Sequence, residues 1–442
     1  MPFNRPPTMS RSETVVLLAL GLAACTSVAQ LSVEQGTGPD PVLPPAKKEL
    51  VPTVQVAKAT GWPAGRAPIP ADGTRVTRFA GDLDHPRWLH VLPNGDVLVA
   101  ETAAPPRPEE GKGIKAWFMG MFMKKAGSAT PSANRITLLR DADGDGVAEV
   151  RTVFADNLNS PFGMALVGSD LYVANTDGIV RFAYSPGATK VSGPPVRVTD
   201  LPAGPRNHHW TKSLIASRDG ARLYATVGSN SNIGENGMAE EDGRAAIWEV
   251  DPRSGSKRLF ASGLRNPNGM AWEPDSGTLW TAVNERDELG PDLVPDYMTS
   301  VKDGGFYGWP YSYYGSIVDT RVEPPRPDLV AKAIKPDYAL GPHTASLGLA
   351  SSRGAKFPSG FENGMFVGQH GSWNRKPPSG YKVIFVPFAN GRPSGPSRDV
   401  LTGFLSGDGD ALGRPVGVVI DARGGLLVAD DVGNAIWRVA SR

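Results

Sequence analysis

The chain has 442 residues, with 46 Lys+Arg against 45 Asp+Glu, one cysteine, 52 glycines and 41 prolines. Glycine and proline together stand well above the roughly 12% of average usage, which excludes a mainly helical protein, while 40% apolar residues supply a large core and exclude wholesale disorder. A formal charge of +1 gives no electrostatic support to nucleic-acid binding, and a lone cysteine excludes an internal disulfide, Cys-type zinc sites and CxxC chemistry.

Arg5 and Arg11 precede an apolar run from Val15 to Ala24. At about ten residues it is half of what a bilayer core requires, so it reads as the hydrophobic part of an export signal. Cys25 directly follows Leu22-Ala23-Ala24, which resembles a bacterial lipobox whose cysteine is acylated and becomes the mature N-terminus. Cleavage after Ser27-Val28-Ala29 is the alternative, and it would discard Cys25. Both imply export, and the first predicts a periplasmic protein lipid-anchored to the membrane. Residues 1–29 are thus expected to be the signal, residues 30–72, rich in Pro, Gly and Ala, a linker, and residues 73–442 the folded domain.

Beyond residue 72 one phrase recurs: a turn, a short apolar strand, a Gly/Asn/Asp turn and a second apolar strand. Its copies begin at His85, Ser160, His208, Asn266, Ala345 and Arg414. Each pairs two runs of about five residues across an NG-, GS-, DG- or GG-type turn, the signal of a β-hairpin. Six such units, none able to bury its own face, predict an all-β six-bladed propeller. The spacing of about 65 residues exceeds the roughly 40–50 of compact propeller repeats, so the surplus is assigned to loops at 103–133, 228–244, 286–304 and 311–340.

No HExxH, GxSxG, Walker or GxGxxG motif is present. Instead, Arg87, His209, Arg265 with Asn266, His370 and Arg414 fall at the starts of predicted inner strands or beside them. Guanidiniums and imidazoles converging on a propeller axis suit a small, planar, multiply anionic ligand, because Arg offers fixed paired donors to carboxylates.

GLRNPNGMAWEP (263–274) and GGFYGWP (304–310) resemble the soluble sugar dehydrogenases that depend on pyrroloquinoline quinone (PQQ). LLRDADGDGVAE (138–149), VNERDELGPDLVPDYMTSV (283–301) and GQHGSWNRKPPSGYKV (368–383) are more similar to the L-sorbosone dehydrogenase branch. The resemblance runs from about residue 78 to the C-terminus and implies an exported oxidoreductase acting on an aldose or sorbosone-like aldehyde. By resemblance, His209 is the base that takes the substrate's hydroxyl proton, and Arg265 stabilises negative charge on the quinone oxygen. Asn266, Arg87, Arg414, Arg375 and His370 are expected to hold the cofactor, and His208 and Asp96 to face the substrate. His343 stands where the glucose enzymes carry an aromatic residue.

The family also uses calcium through two backbone carbonyls, which fall near Glu285 and Arg286. Separately, Asp141, Asp143 and Asp145 with Gly146 reproduce the first half of an EF-hand loop, although Thr152 replaces the terminal Glu and Glu149 stands at the ninth position. The run from Trp117 to Met123, flanked by Lys112, Lys115, Lys124 and Lys125, reads as a lid or a docking segment. With no CxxCH haem motif, electrons are expected to leave to an external quinone or cytochrome. Two other readings stay open: a metal-dependent lactonase on the same propeller, and a surface binding propeller without catalysis.

Overall fold

The computed structural model describes residues 27–47, 53–106, 125–127 and 130–442. Among the described residues, six antiparallel four-stranded blades follow one another around an axis, three of them extended by edge strands. Blade 1 takes Pro86–Val91, Val97–Glu101, Arg135–Arg140 and Val150–Ala155, and blade 2 takes Met164–Val167, Asp170–Asn175, Gly178–Ala183 and Val196–Asp200. Blade 3 takes Leu214–Ala216, Leu223–Val227, Ala246–Val250 and Lys257–Ser262; blade 4 takes Asn266–Trp272, Leu279–Asn284, Pro295–Ser300 and Tyr338–Pro342. Blade 5 takes Ser346–Ser351, Gly364–Gln369, Lys382–Ala389 and Arg398–Thr402, and blade 6 takes Pro415–Ile420, Leu426–Asp430 and Ala435–Ser441. The outer strand of blade 6 is Thr74–Ala80, with Thr74 opposite Ser441, so the two ends of the domain close the ring by hydrogen bonding. Each recurring phrase supplies the two innermost strands of one blade.

Alternation along the strands explains why so many are apolar throughout. In blade 2, Met164, Leu171 and Val173 join the buried cluster shared with blade 1, whereas Ala165, Tyr172 and Ala174 join the one shared with blade 3. Blade 4 divides likewise: Leu279 and Val283 face blade 3, Trp280 and Ala282 face blade 5. A two-residue side-chain period puts successive residues on opposite faces, and both faces of every blade are covered. The hydrophobic core is therefore six wedges, one between each pair of neighbouring blades.

Near the axis the blades meet backbone to backbone. A Cβ on Gly163 would lie 2.1 Å from the Leu214 nitrogen, and one on Gly348 would lie 2.2 Å from the Val416 oxygen. Glycine is required there by space rather than by backbone angle.

The first strand of each blade runs away from the face that carries the strand starts, and the second returns to it. Residues 102–106, 130–134, 228–245, 285–294, 370–381 and 431–434 thus belong to this entrance face, while turns 92–96, 141–149 and 421–425 lie on the far face.

Two expectations are corrected. Segments 286–304 and 311–340 are not loops alone, because they contain the third and fourth strands of blade 4. Pro295 and Pro342, at opposite ends of those strands, disguise them in the sequence; proline is tolerated where the ladder needs no donor. The stretch 30–72 is also no free linker in its described parts. Thr37–Gly38 adds a fifth strand to blade 4, and Ile69–Pro70 pairs with blade 5. Trp62 packs edge-on against Phe404 and Trp437, at 5.4 Å in each case, and gives its indole N–H to Asp430 (2.7 Å). Proline-rich chain shows no strand period, yet it packs at sheet edges through single anchoring side chains. Cys25 and the run 117–123 lie outside the described residues. Among those described, no helix is long and apolar enough to cross a membrane.

Candidate functional site

The entrance face carries two polar clusters. The first is built by blades 5, 6 and 1 around Asp431, which follows the second strand of blade 6. Arg87 donates from Nη1 to Asp431 Oδ2 (2.8 Å), and His370 donates from Nε2 to both carboxylate oxygens (2.9 and 3.1 Å). His85 turns its Nδ1–H to the Asp431 backbone oxygen (3.1 Å) and its Nε2 lies 3.6 Å from Oδ2. Asp430 prepares this: it accepts the backbone N–H groups of Arg414 and Gly433 and both indoles of Trp62 and Trp437, which knots the loop and aims Asp431 at the cations. Arg414 lies over the Tyr381 ring (5.1 Å) and donates to its hydroxyl (3.2 Å).

Electrostatics divide these groups. Burial alone would raise the Asp431 carboxyl, but the positive character of His370, His85 and Arg87 outweighs it and holds Asp431 well below the carboxylate range. Burial pushes His370 down to about 4, with Arg414 and Arg87 adding to the effect, and lowers His85 as well. The Nε–H groups of Arg87 and Arg414 are buried without an acceptor. Two buried guanidinium donors left without partners are costly unless something anionic meets them.

The second cluster comes from blades 3 and 4. His209 donates its Nδ1–H to the Ser229 backbone oxygen (2.7 Å), with Ser229 Oγ at 3.1 Å; this tautomer leaves the basic lone pair on Nε2. His208 is exposed beside it, its ring 4.9 Å away and edge-on. A Cβ on Gly228 would stand 2.4 Å from Asn266 Oδ1 and 2.5 Å from the His209 Cβ, so this glycine alone lets the two side chains close over the backbone. Asn266 Oδ1 is itself buried without a partner. Lys212 is fully buried beneath, where burial pushes its amine well down, and its Nζ donates to the backbone oxygens of His209 (3.4 Å) and Trp210 (3.3 Å).

Arg265 next to Asn266 reaches Glu285 O (2.5 Å), Asn232 Oδ1 (3.0 Å) and Asp287 Oδ2 (3.2 Å). Asp287 also accepts from Asn374 (2.7 Å) and lies 3.5 Å from His343 Nδ1. Burial opposes ionisation of Asp287, but His343 and Arg265 hold it below the usual range. The arrangement offers a base at His209, a fixed positive charge at Arg265 and, in the first cluster, donors for carboxylates.

Not every expected residue joins these clusters. Asp96 follows the first hairpin turn of blade 1, which puts it on the far face, buried and doubly bonded to Arg140 (2.7 and 2.8 Å). It does not face a substrate at the entrance. Arg375 is buried, and its Nη donors go to Leu31 O (2.6 Å), Pro377 O (3.0 Å) and Asp292 (3.3 Å), which clamps the N-terminal segment and not the Asp431 cluster, while its Nε–H, like those of Arg87 and Arg414, is buried without an acceptor. Glu285 O, an expected calcium ligand, is held by Arg265. Arg286 has its side chain locked inward by Glu285, Asp319, Pro310 O and Ser312 O. A guanidinium on the carbonyl is the wrong neighbour for a cation, so the donor set does not fit calcium in this arrangement. Asp141, Asp143, Asp145 and Glu149 do converge, their nearest ligand atoms all within 4.8 Å of one another, but on the far face and with Asp141 paired to Arg423.

The sequence reading missed Asp431, Asp287, Ser229, Gly228 and Lys212. Only Asp431 carries a signal, an acidic doublet directly after a fully apolar strand.

The TrAA12-like family model matches residues 130–297 and 329–442. A PQQ-dependent pyranose dehydrogenase from Coprinopsis cinerea is 27% identical over 429 residues, covering 83% of this chain and 54% of that protein, so this chain spans about half of that relative's length. The structure of a Trichoderma reesei enzyme of carbohydrate-active family AA12 superposes with a TM-score of 0.68 at 18% identity, covering 89% of this chain and all of that one. The holo PQQ domain of the Coprinopsis cinerea pyranose dehydrogenase superposes with a TM-score of 0.65 at 24% identity, covering 86% and 98%. These structural likenesses speak for the propeller. Together with the match of the family model over more than half the chain, they make this protein a member of the TrAA12-like family.

Proposed function

We propose that the protein is a PQQ-dependent oxidoreductase that oxidises a sugar or sugar-derived aldehyde. The observation that carries the reading is the pairing of an imidazole whose lone pair is fixed on Nε2 with guanidinium N–H groups buried without acceptors. PQQ is a planar tricarboxylate, and Arg87, Arg414 and His370 fit its carboxylates, while Arg265 and Asn266 fit its carbonyl edge. When bound it supplies an ortho-dione that takes up a hydride.

The chain's own residues do the rest. His209 accepts the hydroxyl proton at Nε2, and Ser229 O stabilises the imidazolium that forms by holding Nδ1–H. Arg265, fixed by Asn232 and Asp287, presents a positive charge that cannot swing away. Exposed His208 borders the substrate space. Sorbosone-like aldehydes and aldoses are the proposed substrates, and calcium forms no part of the proposal because Arg265 holds Glu285 O. Export with lipidation at Cys25, a periplasmic location and transfer of electrons to a quinone or cytochrome complete the reading. Its support is the sequence from Arg5 to Cys25 and the lone cysteine.

The test is dye reduction by purified protein given PQQ, with and without calcium, over a panel of aldoses and keto-aldehydes. Turnover that requires PQQ supports the reading; hydrolysis of lactones without PQQ, or no turnover with any sugar, contradicts it.

A further inference from the structure

His370 is held on one side only. Its Nε2–H points at both oxygens of Asp431, so the neutral ring carries its lone pair on Nδ1 and cannot donate from there to an anion. Only the imidazolium can do that. The charged groups facing it are the Asp431 carboxylate, the Arg414 guanidinium from the start of blade 6 and the Arg87 guanidinium from blade 1; His85 sits behind Asp431. The Tyr381 phenol under Arg414 is pushed up by burial and stays neutral. Burial is what chiefly holds His370 down near 4; Asp431 favours the imidazolium, and the Arg414 and Arg87 guanidiniums work against it.

We propose that loading this site with a polycarboxylate takes up one proton on His370 at Nδ1, with Asp431 as the positioning residue that keeps Nε2 engaged. An incoming carboxylate neutralises Arg87 and Arg414, whose buried Nε–H groups await an acceptor, and thereby removes the two positive charges that add to burial in keeping the ring neutral. What remains around His370 is then Asp431 and the ligand, both anionic, and both favour the imidazolium. The balance is simple: one proton leaves solvent or buffer and is bound by the imidazole, and no bond of the ligand changes. Because the loaded state binds more protons than the empty one, affinity falls as pH rises between the empty and loaded values of His370. The inference rests on the cofactor reading above and extends it to a pH-dependent affinity.

The experiment is calorimetric titration of the full apoprotein with PQQ from pH 5.5 to 7.5, in buffers of different ionisation enthalpy. The wild type should take up about one proton, and its dissociation constant should rise by up to roughly tenfold per pH unit where uptake is complete. His370→Gln should lose both the uptake and the slope, while titration of the ligand itself is common to both proteins and cancels. Asp431→Asn should weaken binding and flatten the slope, with folding checked by circular dichroism. If the asparagine variant does not fold, His370→Gln alone decides, because it leaves the Arg87–Asp431 pair in place. Flat affinity and buffer-independent heats in the wild type, or an intact slope in His370→Gln, would overturn the proton coupling alone. No binding of PQQ at any pH would overturn the cofactor reading and the coupling with it.

Discussion

Both faces of the propeller carry Asp–Arg pairs, and they differ in how their donors are satisfied. On the far face, Asp96 is matched to Arg140, Asp141 to Arg423 and Asp421 to Arg438, largely one acid to one base. On the entrance face a single Asp431 serves Arg87, His370 and His85, and Arg87 and Arg414 keep buried N–H groups with no acceptor. A satisfied pair contributes to structure. A surplus of buried donors is a standing demand for an anion, and it separates a binding site from a structural ion pair even where the residue types are the same.

The largest effect that would sharpen this contrast is at His209. His209→Ala should lower sugar turnover by roughly 10²–10⁴-fold, the usual share of a general base, with PQQ still retained; unchanged turnover would remove His209 from the chemistry. Next comes Arg414→Ala, which should weaken PQQ binding by about 10–100-fold, as expected for the loss of a charge-assisted hydrogen bond, measured by fluorescence quenching.

Gly228→Val should follow, because its side chain would collide with Asn266 and His209. The expected loss is about 1–3 kcal/mol of stability, read from denaturant midpoints, together with reduced turnover. The smallest effect belongs to the far face. Arg423→Ala breaks a half-exposed pair and should cost no more than about 1 kcal/mol, with sugar turnover unchanged. A weakening of PQQ binding there as large as at Arg414 would erase the contrast between the faces.

The architecture was legible because the inner hairpins repeat: a turn residue, five apolar positions and a second strand are dictated locally, six times over. The outer strands were less legible. Pro295–Ser300 and Tyr338–Pro342 are set apart by an excursion that climbs the edge of blade 3, where Gly305–Phe306 pairs in parallel with Ala261 and Ser262. Nothing in a local pattern announces such a detour.

Of the expected site residues, His209, Arg265, Asn266, Arg87, Arg414 and His370 lie at or beside the ends of inner strands, Arg265 and Arg414 directly before a first strand and His370 directly after a second, which is where the repeat pointed. Asp96 was misplaced because strand direction decides which face a turn residue reaches, and Arg375 spends its Nη donors on Leu31 O, Pro377 O and Asp292. Asp431 and Asp287 escaped because their roles arise only when separate blades converge on one carboxylate.

The most direct measurement is the visible spectrum of the purified chain after mixing with PQQ and desalting, before and after addition of sugar. A quinone band that stays with the protein and is bleached by an aldose or a sorbosone-like aldehyde is the predicted result. A band that washes away entirely, with Arg87 and Arg414 intact, would show that these guanidiniums do not form the cofactor's seat.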